Sequence, residues 1–186
     1  MRRLLVILAL VTALTSLARA AFPPGFLWGT AISGFQTEMG GKPGHNDPSS
    51  DWWVWVHDAD NRSQNRVSAD VPETGPAFYD KFRNQTRRAR TGLHSNTIRL
   101  GIEWSRIFPM STAGVDTSGG ITLHVLQQLD AIANQAEVTH YRAVFAAIRR
   151  AHMTPFVTVN HFSLPLWIHD PIKARDARGR CSRGAG

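Results

Sequence analysis

The sequence predicts an α/β fold built on a parallel sheet, from three observations. A short apolar run near the start, "FLWGTAIS" (Phe26 to Ser33), has the length and composition of a strand. A second run, "NTIRLGIEW", alternates strictly, with Ile98, Leu100, Ile102 and Trp104 on one face and Thr97, Arg99, Gly101 and Glu103 on the other. Segments of helical periodicity separate the runs, and strands alternating with helices indicate βαβ units.

The elements follow in order. After the first strand, Gly40 to Val71 is rich in Gly, Pro, Asn, Asp and Ser and is expected to be a long irregular excursion. Its cluster Trp52-Trp53-Val54-Trp55 argues against disorder, since disordered segments are poor in aromatics. A helix starting at Pro76 has Phe78, Phe82, Ala89 and Leu93 on its apolar side, and leads into the alternating strand. That strand's small, charged face implies that one side of the sheet meets something polar. Leu123, Leu126, Leu129 and Ile132 then recur at helical spacing, and Tyr141, Val144, Phe145 and Ile148 mark another helix. "PFVTVNHF" is the third strand, closing on Asn160-His161.

Of the 186 residues, the first twenty read as a secretory signal. Arg2-Arg3 precedes the apolar run Leu4 to Leu10, and Ala18-Arg19-Ala20 is an A-x-A cleavage site. That run is short of the roughly 20 residues a membrane span needs. The expected location is secreted, periplasmic or extracellular, with no membrane attachment once the signal is removed. Residues 21–172 form the body. From Lys173 to Gly186 the composition shifts to an Arg/Gly-rich basic tail, read as the product of truncation or a frameshift, with a genuine short product as the alternative.

The net charge of +7 does not imply nucleic-acid binding. Three basic residues fall in the signal and five in the tail, so the body holds thirteen basic and thirteen acidic residues. A phosphate-gripping surface would have to be the tail alone. Cys181 is the only cysteine, which excludes an intrachain disulfide and a cysteine-based zinc site.

In barrels of alternating strands and helices, functional residues project from the C-terminal ends of strands. Gln36 follows the first strand, Arg99 lies in the second, and Asn160-His161 close the third. Amide, guanidinium and imidazole donors suit a ligand made of hydroxyls, and Phe162 and Trp167 add apolar surface on which a sugar ring can rest. Each has a purely structural alternative. Gln36 is an ordinary loop residue, His161 a satisfied structural histidine, and Arg99 an ion-pair partner of Glu103 two positions along the same face. The tryptophans at 52, 53 and 55 are then a plug under the long loop.

Four ordered segments, "FPPGFLWGTAISGFQTE", "SDWWVWVHD", "NTIRLGIEWSRIFP" and "PFVTVNHFSLPLWIHDP", resemble the N-terminal part of family 1 glycoside hydrolases, from Phe22 to Pro171. The similarity is to the subset with a long Trp-rich first loop. The resemblance implies an incomplete (β/α)8 TIM barrel, about the first three βα units, and a β-glucosidase or β-galactosidase type of activity. It implies a β-linked oligosaccharide or glycoside as substrate, a retaining double displacement, and no metal or organic cofactor. It further implies that Gln36 and His161 bond hydroxyls of the sugar being transferred, and that Arg99 lies beside the nucleophile and keeps it ionised. Phe162 stands where the family usually has tryptophan, and Asn160 where it commonly has tyrosine, so the ring platform is the less secure assignment.

Retaining glycosidases use two carboxylates roughly 5 Å apart. The family carries them in T-x-N-E-P and E-N-G contexts, and neither string occurs in this sequence. Glu38 and Glu103 fall in matched segments, at positions the family does not use for catalysis. Glu103, paired to Arg99, is expected to have a depressed pKa. No catalytic residue is therefore assigned. A non-catalytic secreted carbohydrate-binding protein is the alternative reading.

Overall fold

The computed structural model describes residues 22–68 and 70–173; the signal segment and nearly all of the basic tail lie outside the described residues. Three strands, β1 (Gly29–Ile32), β2 (Thr97–Gly101) and β3 (Thr154–Thr158), form one sheet in the order β1-β2-β3. Both pairings are parallel, with Ala31 beside Arg99 and Arg99 beside Phe156, and with Ile32 beside Leu100 and Leu100 beside Val157. Partners in parallel register share a face. One face thus carries Ala31, Arg99 and Phe156, and the other carries Ile32, Leu100 and Val157.

The helices are α1 (Gly34–Thr37), α2 (Asp51–His57), α3 (Ala59–Ser63), α4 (Phe78–Gly92), α5 (Trp104–Ile107), α6 (Leu123–Ile132) and α7 (Gln135–Arg150). The core lies between the Ile98/Leu100 face of β2 and the apolar sides of α4 and α7. Phe78, Phe82 and Ala89 come from one helix, and Tyr141, Val144 and Ile148 from the other. Burying each large side chain of this cluster stabilises the fold by roughly 1.5–3 kcal/mol. The periodic positions expected on α4 and α7 supply that core, except Leu93, which is exposed just past the end of α4.

Four expectations are corrected. The third strand ends at Thr158, so Asn160 and His161 lie in the loop beyond it and do not close the strand. The stretch from Gly40 to Val71 is not irregular throughout: α2 and α3 form within it, and the tryptophan cluster sits on α2. Asp58 begins α3, its side chain accepting the Asn61 N–H, as a capping residue does. The second strand ends at Gly101, so Glu103 and Trp104 leave the sheet and start α5. On α6 the expected stripe faces outward: Leu123, Leu126 and Ile132 are exposed, and Val125 is the buried residue. Among the described residues, no helix is long and apolar enough to cross a membrane.

Candidate functional site

The C-terminal ends of β1 and β3 lead into one another through buried polar side chains. Beyond β1, Ser33 precedes α1, and its hydroxyl donates to Gln36 Oε1 at 2.7 Å, holding the amide of Gln36 at the surface. Beyond β3, the chain runs through Asn160 to His161 and Phe162, and Phe162 adopts φ 71°. A non-glycine residue in that left-handed region costs conformational energy, so the surrounding loop fixes it there. The two rings stand edge to face, with centroids 5.1 Å apart.

Gln36, His161 and Phe162 line one cavity of about 130 Å³, together with Ser33, Phe35, Trp52 and Ser163. Arg99 does not line it but reaches it through His161, with Arg99 Nη2 3.2 Å from His161 Nε2. Arginine has only donors, so Nε2 accepts and the ring's remaining donor is Nδ1–H. Arg99 Nε is buried and has no hydrogen-bond partner among the described residues. The expected alternative, an Arg99–Glu103 ion pair, is not made.

Glu103 instead accepts from the Ser163 hydroxyl and is 3% exposed. The Phe35 backbone also lies near the carboxylate and lowers its pKa, against the larger effect of burial. One carboxylate therefore ties the exit of β1 to the exit of β3, each within two residues of a cavity-lining side chain. Gly34 makes this approach possible, since a Cβ there would lie 2.0 Å from Glu103 Cγ. Burial pushes the Glu103 pKa up, against the lowering expected from an arginine partner.

Behind this bolt lies a buried charge cluster. Arg106 Nε is 2.7 Å from Glu38 Oε2, close in distance although its N–H is not aligned for a hydrogen bond. The Tyr141 hydroxyl donates to Glu38 at 3.0 Å, and Ser105 donates to Asp47 at 2.5 Å. Burial raises Glu38 to about 7 in spite of Arg106, and also raises Asp47. A single guanidinium does not offset the desolvation of several carboxylates.

The tryptophans divide by role. Trp52 lines the cavity and packs edge-on against Phe35 at 5.3 Å, whereas Trp53 stacks on His57 at 4.1 Å. Trp167 does not line the cavity; its indole N–H donates to Phe108 O at 2.8 Å. Sequence reasoning did not assign Trp52 to the site. Position alone does not distinguish three tryptophans within four residues until the helix phase of α2 is known.

A family model described as Glycosyl hydrolase family 1 matches residues 18–173. The chain is 44% identical to a β-galactosidase of Pyrococcus woesei, over 83% of this chain and 33% of that protein. It is 39% identical to a β-galactosidase of Sulfolobus acidocaldarius, over 83% of this chain and 34% of that one. Among solved structures it is similar to the β-glycosidase of the hyperthermophile Thermosphaera aggregans, with TM-score 0.79 and 38% identity, over 84% of this chain and 34% of that chain. The β-glucosidase of Pyrococcus furiosus superposes with TM-score 0.78 at 40% identity, over 84% and 35% of the two chains. The chain thus spans about a third of the length of the relatives it matches, and its three parallel strands with their helices are part of a (β/α)8 barrel. With the family matched over 18–173, the chain belongs to glycosyl hydrolase family 1.

Proposed function

We propose that this chain is the N-terminal part of a secreted retaining β-glycosidase, and that it supplies part of the subsite for the sugar being transferred. The observation that carries this is the convergence of Gln36, His161 and Phe162 on one cavity with Arg99 bonded to His161. The Gln36 amide and His161 Nδ1–H offer directional partners for adjacent hydroxyls, and Phe162, 72% exposed, offers a face for the sugar ring. The orphaned Arg99 Nε supports a role beside an ionised nucleophile, because a buried guanidinium N–H left without an acceptor is costly. The parent reaction is hydrolysis of a β-O-glycosidic bond through a glycosyl-enzyme intermediate.

By itself this chain hydrolyses nothing. Gln36, His161 and Arg99 bind hydroxyls or steady a charge, and none replaces an oriented carboxylate pair. Glu103, bonded to Ser163 and packed against Gly34, faces the loops and not a scissile bond. The assay is nitrophenol release from β-glucoside and β-galactoside substrates by the purified chain, beside Glu103→Gln. No turnover above the blank is expected; turnover abolished in Glu103→Gln would place the chemistry on this chain. The second reading, a non-catalytic secreted carbohydrate-binding protein, rests on the same cavity, where Gln36, His161 and Phe162 can hold a sugar without chemistry. Saturable glycoside binding by the chain, with no partner chain restoring hydrolysis, would favour that reading.

A further inference from the structure

The neutral total charge of the body conceals a strong local separation. Eight of its thirteen basic residues lie on α4 and α7, as Lys81, Arg83, Arg87, Arg88, Arg90, Arg142, Arg149 and Arg150, while the acids of these helices, Asp80 and Glu137, sit in their first turns. Between the C-terminal halves of the two helices runs a groove of about 380 Å³, lined by Arg83, Arg87, Arg90 and Arg150 together with Thr86 and His152. No carboxylate lines it. None of the four arginines forms an ion pair among the described residues. Arg87 donates to Asn84 Oδ1 at 2.8 Å, Arg90 donates to the Ser95 carbonyl at 3.2 Å, and Arg83 lies over the Phe82 ring at 4.8 Å. Each keeps most of its five N–H donors for another partner.

Arginines in a last turn often do no more than offset the helix dipole. Here the two helix ends contribute roughly −0.5 charge each, which leaves about +3 of the four guanidinium charges uncompensated. The side chain of Thr86 closes the floor of the groove. Thr86 is 1% exposed, and its Oγ1 has no hydrogen-bond partner among the described residues.

We propose that this groove is an anion site for a compact ligand carrying two or more phosphate or sulfate groups, held by Arg83, Arg87, Arg90 and Arg150. Guanidinium forks match the oxygen geometry of both groups. A single-stranded nucleic acid fits less well, because base stacking needs exposed aromatic faces and Phe82 is buried. The groove adjoins Ala151 and His152, ahead of the start of β3, whereas Gln36 and His161 follow the C-terminal ends of their strands. The two sites are at opposite ends of the sheet, so either can fail without the other.

The test is calorimetric titration of the purified chain with inorganic tripolyphosphate, with a trisulfated disaccharide, and with a dT20 oligonucleotide at equal phosphate. One-to-one binding of either small anion, weakening as salt rises, is expected, and the better of the two identifies the source. Arg87→Ala/Arg150→Ala weakens it at least tenfold, while Arg142→Ala, on α7 outside the groove, stays within twofold. Melting temperatures separate binding from folding: without ligand they stay close to that of the unaltered chain in both arginine variants, and the shift that the anion produces shrinks only in Arg87→Ala/Arg150→Ala. No saturable binding, equal loss in Arg142→Ala, or tighter binding of the oligonucleotide would overturn the proposal.

Discussion

Glu103 and Ser163 share a buried hydrogen bond across the mouth of the sheet, linking the segment that follows β2 to the loop that follows β3. The same carboxylate packs closely against Gly34, so the positions of Gln36 and His161 depend on one side chain that touches no ligand position itself. Removing the Ser163 hydroxyl leaves a desolvated carboxylate short of a donor, at a cost of about 1–3 kcal/mol. Ser163→Ala is therefore expected to lower the melting temperature by roughly 2–4 °C for each kcal/mol lost. Thermal melts followed by circular dichroism check this, and an unchanged transition would show that the bond contributes nothing.

Gly34 gives the steric counterpart. An added Cβ would meet Glu103 Cγ at 2.0 Å and its Oε1 at 2.4 Å, and Glu103 is too enclosed to swing away. Gly34→Ala is expected to destabilise the chain by at least as much as Ser163→Ala, since overpacking of a filled interior costs about 1–3 kcal/mol. In the double variant Gly34→Ala/Glu103→Ala the clash is gone, so its stability should match that of Glu103→Ala alone. A double variant as unstable as the sum of the two singles would remove the contact from the account.

Much of this arrangement is legible in the sequence, for reasons that also mark where legibility ends. Ile98 and Leu100 alternate because β2 buries one face against α4 and α7, and the periodic Tyr141, Val144 and Ile148 bury against the same core. The alternation continues in letters through Trp104, but the hydrogen-bonded strand stops at Gly101, so Glu103 was placed on a face it does not share. The α2 helix is seven residues of mostly aromatic and β-branched side chains between polar, Pro-containing segments, and so shows no helical period. The α6 stripe has the right period, yet packing decides which side of a helix is buried, and only Val125 finds the core. Gln36 stands out by its place after the first strand and His161 by its place at the end of the third, and the structure gathers both at one cavity with Phe162, although β3 stops at Thr158. Ser163 carried no signal, since a serine in a loop is uninformative until its acceptor is known.

The charge cluster predicts a pH dependence. The folded pKa of Glu38 is raised from 4.5 to about 7 by burial, and Asp47, Glu103 and Glu137 are raised by the same cause. A carboxyl raised on folding favours the folded chain while protonated. That contribution is complete below the unfolded pKa and is lost as pH rises through the folded one. Stability is thus expected to fall by about 3 kcal/mol between pH 4.5 and 7 from Glu38 alone. His140, lowered to about 4 by burial, contributes a rise in stability over much of the same range, so the test is the difference between two proteins. Melting temperatures of the unaltered chain relative to Glu38→Gln should decline from pH 4.5 to 7, and a difference that rises with pH would contradict the burial argument.

The central claim is that residues 22–171 form the sugar-holding part of a β-glycosidase barrel, with Gln36 in contact with the substrate. The direct measurement replaces the corresponding segment of the Pyrococcus woesei β-galactosidase, 44% identical to this chain, with residues 22–171. Nitrophenyl β-galactoside hydrolysis by the chimera is then compared with that of its Gln36→Ala variant. The account predicts an active chimera whose kcat/KM falls more than tenfold in the variant, equivalent to at least about 1.4 kcal/mol of transition-state binding. A folded chimera without activity, or a change below twofold on Gln36→Ala, would contradict it.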